Sequence, residues 1–144
     1  MEPGTYIISD PCYILDGENG FSWDGVLDET LYFGLFSSSY NRVNNICNHK
    51  DNQHGEFVIT NKVGDKFTVA CSVTEYGDGV YPDKNGNMHG VDSGMIAAIP
   101  IEAVKQDVTD EYVTAEFTKP WVIRFDEGCI NFGDKVVINT TDYT

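Results

Sequence analysis

Lys66-Phe-Thr-Val-Ala-Cys-Ser-Val-Thr-Glu75 decides the fold class. Phe67, Val69, Cys71 and Val73 recur at every second position, with Thr68, Ala70, Ser72 and Thr74 between them. Successive side chains of a strand point to opposite faces, so this alternation reads as a strand with one strongly apolar face. Upstream, Glu56-Phe-Val-Ile-Thr60 is rich in β-branched and aromatic residues, and Asn61-Lys62-Val63-Gly64-Asp65 between the two segments has turn composition. The pair is expected to form an antiparallel hairpin.

Outward from that hairpin the same grammar repeats. Gly94 to Pro100 reads as a buried strand of small and branched residues, and Pro100 to Lys105 suits a single helical turn with Pro at its first position. Gly4 to Ser9 reads as a first strand, closed where Pro11 holds Asp10 extended and removes a ladder donor. A short helix is expected from about Ser22, interrupted by Gly25, and Leu31 to Phe36 reads as a strand apolar on both faces. Ser37 to Gln53 is a long polar loop and a second candidate for partner contact. The last third alternates over Tyr112–Phe117, Trp121–Phe125, Cys129–Phe132 and Lys135–Asn139, with breaks at Lys119-Pro120, Glu127-Gly128 and Gly133-Asp134. About nine short strands result. The expected fold is mainly β, a single domain over residues 1–144: an antiparallel meander forming a curled sheet, small barrel or sandwich, with one or two short helices.

Charge bounds the partners. Asp plus Glu number 23 against 9 Lys plus Arg, a formal net charge of −14. Such a surface repels phosphate backbones and anionic membranes, which argues against direct nucleic-acid or membrane binding and favours a basic protein partner. No window approaches the roughly 20 apolar residues of a membrane span, and Met1-Glu2-Pro3-Gly4 lacks the basic start of a targeting segment, so a cytoplasmic location is expected. Cys12, Cys47, Cys71 and Cys129 lie far apart without a C-x-x-C pair and read as reduced thiols, Cys71 and Cys129 as small core residues. Cys47, His49 and His54 form an incomplete zinc set with no fourth ligand, so neither metal nor cofactor is expected.

The segment Tyr76 to Pro100 is the candidate site. Gly77, Gly79, Gly86, Gly90 and Gly94 surround Asp78, Asp83, Asp92 and His89. Pro82-Asp83-Lys84-Asn85-Gly86 is a reverse-turn sequence, which leaves His89-Gly90-Val91-Asp92-Ser93-Gly94 to be explained. Asp10, just past the first strand, is expected to meet the Val91-Asp92-Ser93-Gly94 corner across neighbouring strand ends. An enzyme would use His89 as general base with Asp92 or Asp10 orienting it, and glycine amides as an anion cradle. A binding surface would draw on Asp10, Cys12, Tyr13, Tyr76, Asp78, His89, Asp92 and Ser93. Recognised catalytic patterns are missing: Gly90-Val-Asp-Ser-Gly94 has Asp92 where a nucleophile elbow needs Ser. An EF-hand reading from Asp83 fails at Met88 and Gly94, where Gly and Glu belong.

Ser9-Asp10-Pro11-Cys12-Tyr13, Gly77-Asp78-Gly79 within the tyrosine-flanked glycine-rich run, and Val91-Asp92-Ser93-Gly94 before an apolar strand resemble a group of small proteins of no established activity. Bacteriophages, and occasionally bacteria, encode them. The resemblance implies a phage setting and a host protein as partner. The function expected from charge and resemblance together is a small acidic binding protein that inhibits a host protein, of the anti-defence or DNA-mimic type. The alternative is a nucleotide-like small-ligand trap or hydrolase with its pocket at residues 76–94.

Overall fold

The computed structural model describes residues 1–26, 54–105 and 111–141. The expectations for Leu31–Phe36, for the Ser37–Gln53 loop and for Cys47 and His49 lie outside the described residues. Ten strands run through the rest: β1 (Gly4–Ser9), β2 (His54–Thr60), β3 (Lys66–Val73), β4 (Gly79–Pro82), β5 (Met88–Val91), β6 (Met95–Pro100), β7 (Val113–Phe117), β8 (Ile123–Asp126), β9 (Cys129–Phe132) and β10 (Val136–Asn139). One helical turn, α1 (Trp23–Val26), stands where a short helix was expected. No described helix is long and apolar enough to cross a membrane.

The chain is mainly β, and every strand pairing among the described residues is antiparallel. A five-stranded sheet has the order β2-β3-β6-β1-β7, a three-stranded sheet the order β10-β9-β8, and β4 and β5 form a two-stranded ribbon. The expected hairpin is β2–β3, in register from His54 opposite Ser72 to Thr60 opposite Lys66. At the centre of the large sheet lies β6, whose Met95, Ile96, Ala97, Ala98 and Ile99 are all fully buried. A strand covered on both faces has no reason to alternate, which is why this run is continuously apolar.

Two cores result. Tyr6, Ile8, Ile96 and Ala98 face one way and pack against Ile123, Phe125, Ile130, Phe132 and Ile138 of the three-stranded sheet, with Tyr81 and Val91 from the ribbon. Phe117 stacks on Trp121 with ring centroids 4.1 Å apart, and Tyr6 meets Trp121 edge-on at 5.2 Å. Such aromatic pairs add roughly 0.5–1.5 kcal/mol each beyond area burial. Ile7, Val69, Cys71, Met95, Ala97 and Ile99 face the other way and are covered by Ile14, Leu15, Phe21 and Val26.

The arrangement is a layered sandwich, and its sheets do not close into a barrel. The meander holds only for β8–β10; β7 leaves it to pair with β1, and β1 is inserted between β6 and β7. The reason is in β1 itself, where Tyr6, Ile7 and Ile8 are buried on alternating sides and need partners and cover on both. Three local expectations shift. Cys129 opens β9 half-buried rather than in the core. Pro100 caps a 3-10 turn over Ile101–Ala103 instead of occupying its first position. Trp121 precedes β8, which begins at Ile123.

Candidate functional site

The chain leaving β1 turns sharply. Asp10 is extended, with ψ 124°, and Pro11–Tyr13 forms a single 3-10 turn. Because Ser9 stands opposite Ala97, the end of β1 lies beside the β5–β6 connection. The buried Asp10 carboxylate joins the two. Its Oδ1 accepts from the Cys12 amide at 2.9 Å and the Ser93 hydroxyl at 2.7 Å, and its Oδ2 accepts from the amides of Asp92 at 2.6 Å and Ser93 at 2.7 Å. Gly94 takes φ +80°, a left-handed conformation that lets the chain reverse into β6.

Asp92 and Tyr13 are exposed, and the Tyr13 hydroxyl donates to the Asp92 carboxylate. That bond, with lesser contributions from burial and nearby negative charge, pushes the Tyr13 phenol up to about 12. The half-buried Cys12 thiol is also pushed up to about 12, first by burial, then by its hydrogen bond to Asp10 and the charges of Asp10, Asp92 and Asp78. Thiolate is the reactive form, so three surrounding carboxylates make Cys12 a poor nucleophile at neutral pH.

His89 belongs to a second cluster. In the ribbon Pro82 stands opposite Met88, with Asp83 to Asn87 as the connecting turn. Asp83 Oδ1 accepts from the amides of Asn85 at 2.8 Å and Asn87 at 2.9 Å. Its Oδ2 accepts from Asn87 Nδ2 at 3.2 Å and meets His89 Nε2 at 2.9 Å. Burial acts to raise the Asp83 pKa, but the bonds from His89, Asn87 and Asn85 outweigh it and hold the carboxyl below its ordinary value. The turn is fastened to the three-stranded sheet through a bridge from Asp83 to Ile138 and the Lys84 amide on the Val137 carbonyl at 3.1 Å.

The structure therefore gathers Asp10, Cys12, Tyr13, Asp92 and Ser93, places Asp78 where its charge reaches Cys12, and pairs His89 with Asp83 rather than with Asp10 or Asp92. Tyr13 and His89 do share the lining of a cavity of about 170 Å³, with Met88, Gly90, Glu111 and Tyr112. Tyr76 is exposed on the connection between β3 and β4. Sequence reasoning read Asp83 as a turn former and as the start of an EF-hand loop that fails, not as the partner of His89. The spacing from Asp83 to His89 across a five-residue hairpin connection was the available signal, since pairing Pro82 with Met88 brings both beside the turn.

As chemistry, both clusters are braces. All four bonds to Asp10 come from the chain itself, His89 Nε2 is engaged by Asp83, and the Cys12 thiol stays protonated. Among the described residues no three of His, Cys, Asp and Glu converge to hold a metal ion.

The ribbon's outer face is different. Val80 and Pro82 stand opposite Gly90 and Met88, so these four share one side while Tyr81, His89 and Val91 point into the core. Val80 is 41 % and Met88 53 % exposed, and Tyr13 beside the same cavity is 50 % exposed. Sequence reasoning missed Val80 and Met88, although the Met88-His-Gly-Val91 alternation places Met88 opposite in facing to His89. Neither a protein-family model, nor a curated protein, nor a solved structure matches the chain.

Proposed function

We propose that the protein is a non-catalytic binding protein whose contact surface is the outer face of the β4–β5 ribbon together with Tyr13. The observation that carries this reading is the exposure of Val80 and Met88 on one side of a braced ribbon, with the exposed Tyr13 lining the same cavity as Met88. Exposed Asp78, Asp92 and Glu111 lie around them. Apolar anchors rimmed by acids suit a partner with an apolar centre and a basic rim, and the charge of −14 favours rapid encounter with it. The braces fit the same reading, since a preorganised surface loses less entropy on binding. The resemblance to phage-encoded proteins extends the proposal: the partner is a basic or nucleic-acid-binding host protein, which this chain occupies and inhibits.

The test is capture from a bacterial lysate with wild type, Met88→Lys, and a control substitution, Lys62→Gln, on the turn between β2 and β3. A protein retained by wild type and Lys62→Gln, lost with Met88→Lys and released progressively by salt supports the reading. Retention unchanged by Met88→Lys moves the contact surface elsewhere.

A further inference from the structure

A concavity of about 510 Å³ lies on the outward face of the three-stranded sheet. Its walls are the Thr118–Val122 connection and the Gly133–Lys135 turn, and Arg124 and Asn131, paired across β8 and β9, lie along it. Lys119, Arg124 and Lys135 all line it, three of the chain's 9 Lys and Arg. None of these three forms an ion pair among the described residues, although Asp126 and Asp134 line the same groove. In a chain with 23 carboxylates, three cations left without carboxylate partners around one hollow need an explanation.

From this we infer that the groove is a binding site for a small phosphorylated ligand of the nucleoside monophosphate class. Arg124 supplies the planar fork that grips two phosphate oxygens, and Lys119 and Lys135 supply point charges on either side. The remaining lining matches the rest of such a molecule. Pro120 and the half-exposed Val122 offer an apolar wall for a flat ring. Asp126 and Asp134 can accept from sugar hydroxyls. Asn131 uses one amide hydrogen on the Cys129 carbonyl at 3.2 Å, and its amide oxygen accepts from no described donor, which suits it to read a base edge. The volume falls within the roughly 300–1,000 Å³ of small-molecule sites. Acids elsewhere on the surface oppose a long polyanion, but beyond about 8 Å at physiological salt they are screened, so a mononucleotide responds to the local cations.

The lining of the groove shares no residue with the outer face of the ribbon. Titration of adenosine and uridine monophosphates and of inorganic phosphate, followed through the amide resonances of Arg124 and Asn131, tests the site. The expected result is saturable binding of a nucleoside monophosphate, at least about tenfold tighter than inorganic phosphate. Arg124→Gln, which alters an exposed side chain and leaves the core intact, is expected to weaken it by at least about tenfold, the effect of losing a charge-assisted bidentate contact. Met88→Lys is expected to leave it unchanged. Inorganic phosphate binding as tightly as the nucleotides, absence of saturable binding at millimolar concentration, or unchanged binding to Arg124→Gln each overturns the assignment.

Discussion

Asp10→Ala separates a structural role for the Asp10 corner from a recognition role. The substitution strips the acceptor from three backbone amides, those of Cys12, Asp92 and Ser93, and from the Ser93 hydroxyl. A buried donor left without a partner costs about 1–3 kcal/mol, and these bonds are partly buried, so the low end applies. Three amides at about 1 kcal/mol each give a loss of about 3 kcal/mol, a large part of the roughly 5–15 kcal/mol that holds a domain folded. For a chain of this length about 1 kcal/mol lowers Tm by roughly 3–5 °C, so the expected fall is about 10–15 °C. Ser93→Ala removes only the hydroxyl and should cost less than about 1 kcal/mol. Thermal and urea unfolding followed by circular dichroism measures both, with an unchanged urea slope showing that the same surface is exposed. An Asp10→Ala protein that melts within about 2 °C of wild type while losing its captured partner would refute the brace and make Asp10 a contact residue.

Asp83 should make the fold acid-sensitive. Its folded pKa lies below the ordinary 3.8, so the unfolded chain takes up the proton more readily, and stability present above 3.8 is lost as pH falls through the folded value. Asp83→Asn should lower stability at pH 7 and flatten this acid limb; an unaltered limb would show that the His89 pair is not its source. Glu127 sits at φ 51° beside Gly128 at φ 79°, the two-residue connection of β8 and β9. Asn tolerates that conformation better, so Glu127→Asn should raise stability by about 0.5–1 kcal/mol in denaturant titration. With its pKa pushed up to about 12, Cys12 should alkylate in the folded protein at least about tenfold more slowly at pH 8 than a free thiol, by mass spectrometry of the Cys12 peptide. A rate like that of an unstructured cysteine would contradict its carboxylate surroundings.

The strands were legible because their signal is local. Period-two alternation in β3 and the turn residues between β8, β9 and β10 are set by neighbours in sequence, and the structure follows them to within a few residues. Sheet order was not legible. That β1 lies between β6 and β7 depends on which strands flank Tyr6, Ile7 and Ile8, and their pairing partners lie ninety or more positions away. Ser72 shows the same limit from the other side: it alternates as a polar position yet is fully buried, its hydroxyl donating to the Val73 carbonyl at 2.9 Å. At the site, the meeting of Asp10 with Asp92 and Ser93 was readable, since a carboxylate held beside Pro11 and a glycine-bounded corner each mark a strand end. The partner of His89 was not, because Asp83 fits a generic turn equally well without a histidine. Nor was the groove at Arg124, whose cations are scattered from Lys119 to Lys135 and become a group only when β8 and β9 pair.

Why so many polar residues serve as braces follows from the lengths of the outer elements. β4 and β5 have four residues each, and a two-stranded ribbon of that size is marginal by itself. Apolar burial holds its inner side through Tyr81 and Val91, but the two ends of the ribbon are loops with little to bury. A carboxylate accepting several amides fixes a loop without apolar bulk, and one stands at each end: Asp83 inside the hairpin turn, Asp10 across the exit into β6. Pinned at both ends, the ribbon can present Val80 and Met88 to solvent without collapsing them onto the core. Removing either pin should therefore loosen the outer face before it unfolds the central sheet, with amide exchange rising first at residues 79–91 and last in β6.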